Sequence, residues 1–379
     1  MERFDVVVAG TGGMGAAAAL HLARRGASVL GLDRFPVAHD RGSSHGQTRL
    51  IRLAYFEHPD YVPLLRSAYD LWHELERECG GRLIVESGLV MAGPAGCELV
   101  AGAGRSASLH GLELERMSPA DVRRRWPAFV VPDDWDVVHE ARGGYLFVEE
   151  CVRAHVDAAV RAGAIVRTGV EVHGWRPEPG GIIIDTDGGR IEAGRLVLCP
   201  GAWAGDLLRL PRLGFRVLRK SLFWHEPAAA HRGEHAAGAL PCFAFDTPAG
   251  FFYGFPAIDP RGVKVAEHTG GREVADPLAV DRGIDQAERT AIESFLEAHL
   301  PMARGRLADH ATCLYTMTPD SHFVVGLHPD DPRVALAAGF SGHGFKFASV
   351  MGEVLADLAL DGRTRHPIGF LAPSRPLPT

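Results

Sequence analysis

The chain has 379 residues, of which 46% are hydrophobic and 23% charged, and its formal net charge is −7. This composition excludes a disordered or collagen-like protein, and the length exceeds what one core usually organises. No apolar run approaches the ~18 residues of a membrane span, and no long basic run predicts a nucleic-acid partner. The six cysteines form no CxxC pair and are too sparse for a disulfide scaffold, so we expect no metal site. Because no signal-peptide pattern begins the chain, we expect a cytoplasmic protein.

The first 33 residues predict a strand, a glycine turn, a helix and a second strand. Phe4–Ala9 is apolar and β-branched, an Ala-rich segment continues to Arg25, and 27–32 is a second apolar run. The turn between the first strand and the helix has the sequence Gly10-Thr11-Gly12-Gly13-Met14-Gly15. A strand, GxGxxG, a helix and a strand that ends in an acid together indicate an adenine-dinucleotide site.

Each defining residue of that pattern has a physical role. Gly10 permits the tight turn, Gly12 lets the backbone approach a pyrophosphate, and Gly15 lets the helix pack on the strand. Asp33 follows the second strand and is placed to bind ribose hydroxyls, and its charge disfavours the 2′-phosphate of NADP. The Gly/Ser/His-rich loop at 39–55 favours FAD over NAD, because NAD domains usually continue with regular βα units.

Later segments repeat the alternation of strands, glycine turns and helices. Predicted helices cover 60–77, 151–162 and 347–360; predicted strands cover 164–167, 182–185 with 190–192 as a hairpin, a run from 195 into a turn at Gly201, and 334–339. Since such units occur at the start, middle and end of the chain, we predict an α/β fold with a discontinuous Rossmann-like FAD-binding domain. That domain comprises 1–83, 144–213 and 321–379, and a second, mixed-sheet substrate domain comprises 84–143 and 214–320.

Four sequence blocks carry a resemblance to a known family. They are Gly42–Arg52, Phe252–Pro256, Cys313–Thr316 and Gly339–Lys346. With these blocks the chain resembles the monomeric sarcosine oxidase family of FAD-dependent amine oxidases, which includes N-methyltryptophan oxidase and pipecolate oxidase. The resemblance covers nearly the whole chain, and four blocks in order are more specific than one glycine motif.

The resemblance implies how the cofactor is held. Cys313, which by itself predicts only a buried small hydrophobic residue, matches the cysteine that attaches FAD through a thioether. His45 and Arg49 match residues that line the flavin. Lys264, otherwise an edge-strand lysine, matches the lysine above the flavin ring that promotes reaction with oxygen. The other expected cofactor contacts are Gly10, Gly12, Gly13, Met14, Gly15, Asp33, Arg34, Ser43, Ser44, Gly201, Trp203, Gly342, Gly344 and Lys346.

The resemblance also implies how the substrate is bound. Arg52 and Lys346, which alone could be surface charges, match the pair that binds the substrate carboxylate. Tyr253 and Tyr315 match pocket-wall residues, and His268 matches an active-site histidine, although a structural strand-end histidine is the alternative. Ala244 falls where sarcosine-specific members carry Met. The residues with an implied catalytic role are Lys264, Arg49, His45, His268 and Tyr253.

The reaction implied is oxidation of a secondary amine next to a carboxylate, with oxygen reduced to hydrogen peroxide. N-methyl substrates, among them sarcosine, would release formaldehyde. Leu53 and Phe56 also depart from the sarcosine-oxidising pattern, and we expect both to border the pocket. A cyclic imino acid oxidase, a fructosyl amino acid oxidase and a flavin dehydrogenase with a partner acceptor therefore stay open, as does a non-catalytic dinucleotide-binding module. We expect a monomer that binds a small amine and O2.

Overall fold

The computed structural model describes residues 1–378, which contain the alternating elements that the sequence predicts. In chain order the strands are β1 (Glu2–Ala9), β2 (Val29–Asp33), β3 (Thr48–Ile51), β4 (Ile84–Val85), β5 (Leu89–Pro94), β6 (Glu115–Met117), β7 (Trp135–Glu140), β8 (Gly144–Phe147), β9 (Ile165–Thr168), β10 (Val172–Glu178), β11 (Gly181–Thr186), β12 (Gly189–Leu198), β13 (Arg216–His225), β14 (Cys242–Thr247), β15 (Gly250–Phe255), β16 (Val263–Glu267), β17 (Arg272–Glu273), β18 (Leu307–Met317), β19 (Val324–His328) and β20 (Asp331–Ala338). The helices are α1 (Gly13–Arg24), α2 (Val62–Cys79), α3 (Glu98–His110), α4 (Pro119–Arg125), α5 (Val148–Arg161), α6 (Ala204–Leu207), α7 (Arg232–His235), α8 (Gln286–His299) and α9 (Ala348–Asp361).

The first sheet has a parallel centre in the order β9, β2, β1, β12, β20. On the edge away from β1, β12 pairs with two strands: its first half pairs with β11 and its last residues pair with β20. β10 extends the sheet beyond β11, and β19 extends it beyond β20, both antiparallel. The carboxyl ends of β1, β2 and β12 therefore lie together, which is where ligands bind in open α/β sheets.

Four helices cover one face of this sheet and form its main core. α1 packs against both α5 and α9, and α2 packs against α9. The Ala-rich sequence of α1 permits this close approach, since a Cβ at Gly352 of α9 would lie 2.6 Å from Ala17. Trp72 of α2 is fully buried and donates its indole N–H to the Lys346 carbonyl at 2.8 Å. The helical layer thus fixes the loop that precedes α9.

The second sheet is mostly antiparallel and follows the order β17, β13, β16, β15, β14, β5, β7, β6, with β18 on the other edge of β13. One face packs on α8 through a cluster of buried aromatic rings, namely Phe243, Phe245, Phe252 and Phe295. The other face is turned toward the carboxyl ends of the first sheet. This mixed sheet, rich in Phe, agrees with the fold class that the sequence predicts.

A small third sheet joins the two larger ones. β8 pairs with β3 on one side and with β4 on the other. The predicted domain boundary between residues 83 and 84 falls directly before β4. It therefore assigns β4 to the substrate domain and its partner β8 to the FAD-binding domain. The strands of the two large sheets otherwise fall in the two predicted sets of ranges, and the exact domain limits stay a prediction.

One strand prediction is wrong in its extent. Residues 190–192 and the run from 195 belong to a single strand, β12, which ends at Leu198, and a short 3-10 turn covers 201–203. Gly194, which separates the two predicted segments, lies inside this strand. A Cβ there would come 3.0 Å from the Asp5 carbonyl oxygen of β1. The glycine therefore serves close strand packing rather than a turn.

Within residues 1–378, no helix combines the length and the apolar character that crossing a membrane requires. The same residues contain no group of three His, Cys, Asp or Glu side chains arranged to hold a metal ion. None of the six cysteines forms a disulfide.

Candidate active site

A cavity of about 410 Å³ runs from the glycine turn after β1 to the inner face of the second sheet. Most of the predicted site residues lie on its wall, although they come from segments far apart in the chain. These residues are Gly10, Gly12, Gly13, Met14, Gly15, Asp33, Arg34, Ser43, Ser44, Arg49, Arg52, Gly201, Trp203, Ala244, Tyr253, His268, Tyr315, Gly342, Gly344 and Lys346. The cavity therefore joins the predicted cofactor site and the predicted substrate site into one space.

At the nucleotide end, side chains hold the glycine turn in place. The Asp33 carboxylate accepts from the Thr11 amide at 2.7 Å and from the Phe35 amide at 3.0 Å. The Ser44 hydroxyl accepts from the Gly13 amide at 3.1 Å. The protein's own side chains thus fix the turn, and the start of α1 faces the cavity with the positive end of its helix dipole.

Two observations test whether an adenine dinucleotide fits this end. A Cβ at Gly12 would meet no protein atom closer than the Ser44 hydroxyl at 3.7 Å, so the glycine keeps open a space that the protein does not fill. Arg34 leans over the Trp203 ring, with its Cζ 5.2 Å from the ring centroid, and its buried Nη1 has no hydrogen-bond partner within residues 1–378. An open backbone cradle and an unpaired guanidinium N–H both suit a pyrophosphate-containing ligand.

Beyond the nucleotide end, a cationic cluster surrounds Cys313. The Arg49 guanidinium donates to the Cys313 sulfur at 3.0 Å and to the Ser43 carbonyl at 3.0 Å. Burial alone would raise the pKa of the Cys313 thiol, but Arg49, then His45 and Lys264, lower this pKa from its ordinary 9.0 to about 6. Cys313 is therefore a thiolate at neutral pH, which is the reactive form of cysteine.

Lys264 lies just behind the cavity wall rather than on it. Its side chain is 1% exposed, and its ammonium donates to the carbonyls of Gly46 and Thr48 at 2.5 and 2.8 Å. Burial lowers the pKa of Lys264 well below its ordinary 10.5, and Arg49 lowers it further. The sequence alternative of an exposed edge lysine is wrong. His45 and Cys313, 3% and 0% exposed, also lie behind the wall.

At the far end of the cavity, Arg52 and Lys346 approach the same space but differ in their partners. One guanidinium nitrogen of Arg52, Nη2, donates to both carboxylate oxygens of Glu57, at 2.7 and 2.8 Å, and the Arg52 Cζ lies 4.2 Å from the Tyr55 ring centroid. Lys346 instead donates to the His343 carbonyl at 2.7 Å. Burial lowers the pKa of Lys346 to about 7, and Arg52 adds to this effect. Arg52 is therefore partly neutralised, and the charge of Lys346 is lost as pH rises.

Aromatic side chains form the wall beside these two cations. The hydroxyls of Tyr253 and Tyr315 lie 3.3 Å apart, and the His268 ring is tilted against that of Tyr315 at 5.6 Å. Burial lowers the pKa of His268 to about 3 and raises that of both tyrosines. These groups are thus uncharged at neutral pH, and Ala244 beside them adds only a methyl group to the wall.

Three residues that depart from the sarcosine-oxidising pattern were expected to border the pocket, and two of them do not line the cavity. Leu53 is buried and gives its amide to Glu140 at 2.6 Å, while Phe56 packs edge-on against Phe251 at 5.6 Å. Phe251 is the ring that lines the cavity, so Phe56 supports the wall from behind. The expectation that Leu53 and Phe56 border the pocket is therefore wrong, and Ala244 alone of the three does so.

Two acids at the site, Glu57 and Glu149, were not predicted from the sequence. Glu57 lines the cavity, and Arg52 is the cation that most lowers its pKa, which is about 2 despite burial. Glu149 accepts hydrogen bonds from the backbone of the turn at Gly46 and Gln47. A cation five residues before an acid is a weak signal for Glu57. For Glu149 no sequence signal exists, because its partners lie about 100 residues away.

A family model for FAD-dependent oxidoreductases matches residues 5–358. The chain belongs to this family. It is 41% identical to a monomeric sarcosine oxidase of Streptomyces avermitilis over 98% of the chain and 97% of that protein. An N-methyl-L-tryptophan oxidase of Yersinia pestis is 34% identical over 94% of the chain and 95% of that protein.

Among solved structures, a tyrosine-to-phenylalanine mutant of NikD, an amino acid oxidase essential for nikkomycin biosynthesis, superposes with a TM-score of 0.88. It is 27% identical, and the match covers 100% of this chain and 99% of NikD. The predicted family resemblance, the α/β fold class, FAD as cofactor and an enzymatic oxidoreductase function are thereby confirmed.

Proposed function

We propose that the protein is an FAD-dependent oxidase of secondary amino acids, acting on sarcosine or another N-methyl amino acid. One observation carries this proposal: Arg52 and Lys346 line the same end of the cavity, beside uncharged aromatic side chains. The other end of that cavity is lined by the glycine turn at 10–15. Two cations select a carboxylate, whereas a plain amine would gain nothing from them.

The chain's own groups bind and orient the substrate. Lys346 attracts the carboxylate as a point charge, and Arg52 offers a planar fork once its pairing with Glu57 is shared with the ligand. Tyr253, Tyr315 and His268 are neutral, so the wall beside the amine favours its unprotonated form. FAD, when bound, supplies the two-electron oxidation of the C–N bond. The rate of flavin reduction at saturating substrate is therefore expected to rise toward alkaline pH as the amine loses its proton, whereas carboxylate binding weakens as Lys346 loses its charge.

The products follow from balancing the reaction. The substrate loses two electrons and two protons to become an imine, which water hydrolyses; an N-methyl substrate gives formaldehyde and the free amino acid. Oxygen takes up the two electrons and two protons and leaves as hydrogen peroxide. Lys264 supports this second step as a fixed positive charge held by the carbonyls of Gly46 and Thr48.

We also propose that the flavin is attached through Cys313. The sulfur would replace one hydrogen of the flavin's 8-methyl group, and oxygen, the acceptor of the proposed reaction, would take up the two electrons and two protons released and give hydrogen peroxide. The support is the thiolate character of this sulfur, which Arg49 contacts at 3.0 Å. Cys199 lines the cavity as well, but burial raises its pKa to about 12, so it stays a thiol. Acid precipitation of the yellow protein tests this proposal. The colour is expected in the pellet for wild type and Cys199→Ala, and in the supernatant for Cys313→Ala. Colour in the wild-type supernatant would contradict covalent attachment.

The small Ala244 side chain leaves room for a substrate bulkier than sarcosine, which favours a cyclic imino acid as the second candidate. Peroxide release at pH 8–9 tests both, with sarcosine, N-methyl-alanine, N-methyl-tryptophan, proline, pipecolate and a fructosyl amino acid as substrates. Turnover of any of the carboxylate-bearing N-methyl substrates supports the proposal, and the ranking defines the pocket. Flavin reduction without peroxide would indicate a dehydrogenase, and no reduction by any substrate would contradict an amino acid oxidase. The monomeric state stays a prediction, testable by size-exclusion chromatography.

A further inference from the structure

The turn that leads into β3 is strained and lies against the cationic cluster. Gly46 and Gln47 both have positive φ, at 88° and 70°. Residues with a side chain seldom adopt this conformation, and it persists only where the surroundings hold it. A Cβ at Gly46 would overlap the side chain of Leu222, so the backbone must pass close to β13 here. The groups that hold this turn therefore set the position of its carbonyls.

Glu149 holds the turn from one side. It lies in the first turn of α5, and its carboxylate accepts from the Gly46 amide at 2.6 Å and from the Gln47 amide at 3.1 and 3.2 Å. Amides that donate to a charged group form bonds about twice as strong as neutral ones. Burial alone would raise the pKa of Glu149, but these amides lower it, so the carboxylate is ionised at neutral pH.

Lys264 binds the turn from the other side. The carbonyls of Gly46 and Thr48 accept its ammonium at 2.5 and 2.8 Å, and the Thr48 hydroxyl lies at 3.2 Å. Gly46 thus gives its amide to Glu149 and its carbonyl to Lys264. One residue of the strained turn connects a carboxylate on α5 with a buried ammonium on β16.

The side chain of Gln47 provides a third support. Its amide donates to Asp259 at 2.6 Å, and its carbonyl accepts the Trp224 indole N–H at 2.9 Å. The Trp224 ring also lies 5.4 Å from the Lys264 ammonium. The turn therefore keeps its orientation through both its backbone and its side chain.

We propose that Glu149 is a positioning residue for the oxygen half-reaction. Its carboxylate holds the 46–48 turn so that the carbonyls of Gly46 and Thr48 fix the Lys264 ammonium, and it places a negative charge across the turn from that ammonium. This inference rests on the proposed function, because it assigns Glu149 a task only if Lys264 serves the reaction with oxygen.

The charges around Lys264 explain why one acid matters. Burial and Arg49 both lower the pKa of Lys264, whereas Glu149 and the Cys313 thiolate raise it. If Cys313 becomes a thioether, its negative charge is gone, and Glu149 is then the main anion that faces Lys264. The titratable and charged groups around this ammonium are Arg49 on β3, Glu149 on α5, Cys242 on β14, Arg261 before β16 and Cys313 on β18.

Hydrogen exchange in the holoenzyme tests the structural half of the proposal. Glu149→Ala removes the acceptor, so the amides of Gly46 and Gln47 are expected to exchange at least about tenfold faster, as the loss of charge-assisted hydrogen bonds implies. The control is Glu150→Ala, since Glu150 is an exposed neighbour on the same helix that pairs with Arg153 at 2.6 Å. It is expected to leave the turn's exchange unchanged.

The pH profile of flavin reoxidation tests the functional half. Glu149→Gln keeps an acceptor oxygen but loses the charge, so Lys264 is expected to lose its proton at a lower pH. Reoxidation of the reduced holoenzyme by oxygen then declines at a lower pH than in wild type. Glu149→Asp, which keeps the charge, and Glu150→Gln are expected to decline where wild type does.

Each outcome decides a different part. Unchanged exchange in Glu149→Ala, or a Glu149→Gln profile that coincides with wild type, overturns the role of Glu149. If Glu149→Ala yields no folded protein, the Glu149→Gln profile alone decides. If the reduced wild-type enzyme does not react with oxygen, the proposed oxidase function fails and the positioning role fails with it, while the exchange result still reports whether Glu149 holds the turn.

Discussion

The two ends of the cavity are built by different means. At the nucleotide end the wall is mainly backbone, and its shape depends on missing side chains at Gly10, Gly12 and Gly15. At the substrate end the wall is made of side chains, with Arg52 and Lys346 brought together from positions nearly 300 residues apart. The first end depends mainly on one short turn, Gly10–Gly15, which Asp33 and Ser44 hold, whereas the second depends on segments that only the whole fold brings together.

This difference predicts two kinds of sensitivity. A Cβ added at Gly10 or Gly15 meets backbone atoms that cannot move away, so the effect of such a change is steric and independent of pH. A change at the substrate end alters the balance among buried charges, so its effect is graded and depends on pH. Substitutions at each end, compared with matched controls, test whether the two ends differ in this way.

The largest effect is expected from Gly10→Ala. Gly10 has a φ of 91°, and a Cβ there would overlap the Cys199 carbonyl oxygen at the end of β12. Because two backbone segments must separate, we expect loss of at least about 3 kcal/mol of unfolding free energy and of flavin binding. Thermal unfolding and the flavin absorbance per protein chain measure both.

Gly26→Ala is the matched control for Gly10→Ala. Gly26 also has a positive φ, 80°, but a Cβ there would meet no atom within 4 Å. It carries only the conformational penalty, about 1–2 kcal/mol. Equal destabilisation by the two substitutions would show that backbone conformation, not the contact with β12, makes glycine necessary at the nucleotide end.

The same contrast explains what the sequence could and could not predict. The glycine cradle, α1 and Asp33 follow from local spacing, since each requirement concerns residues close together in the chain. Glu57 and Glu149 were missed because nothing in the local sequence shows which backbone or cation an acid will meet after folding. Arg52 and Lys346 were assigned through the family resemblance, and the pairing of Arg52 with Glu57 required the structure.

Lys264→Met is expected to have the next largest effect. It removes a buried positive charge while keeping a side chain of similar length, so reoxidation by oxygen is expected to slow by about 100-fold or more. Reduction of the flavin by substrate is expected to change much less, because other residues hold the substrate. Stopped-flow measurement of the two half-reactions checks this expectation.

Lys264→Arg is the control for charge, and it is expected to retain more of the oxygen reaction than Lys264→Met. Equal slowing of both half-reactions in Lys264→Met would contradict the assignment of Lys264 to the oxygen step. It would place this residue among those that shape the site as a whole.

Lys346 gives a pH-dependent prediction. Its pKa of about 7 means that its positive charge is present below this pH and is lost above it. The dissociation constant of a simple carboxylate such as propionate, which carries no amine to titrate, is therefore expected to rise by about tenfold from pH 6 to pH 9. In Lys346→Met this dependence is expected to disappear, as flavin absorbance titrations can show.

The stability of the protein should report the same group. Between pH 7 and its ordinary value of 10.5, Lys346 binds a proton in the unfolded state but not in the folded state. The unfolding free energy therefore gains a positive slope with pH in this range, and Lys346→Met should reduce that slope. Identical slopes in the two proteins would mean that Lys346 keeps its charge at alkaline pH.

The smallest effect is expected from Ala244→Met, which changes the shape of the substrate end but none of its charges. Ala244 lines the cavity beside Tyr253, its partner in the β14–β15 pairing, so a longer side chain extends into the space for the substrate. Differences of one group in an apolar pocket are worth about 1–3 kcal/mol, so kcat/KM should shift by about 10- to 200-fold toward sarcosine and away from pipecolate or N-methyl-tryptophan. Propionate binding should keep its pH dependence, because Lys346 is untouched. If the substrate ranking stays the same, the wall at Ala244 does not select the substrate, and the size limit must come from Phe251 and the ring of Phe56 behind it.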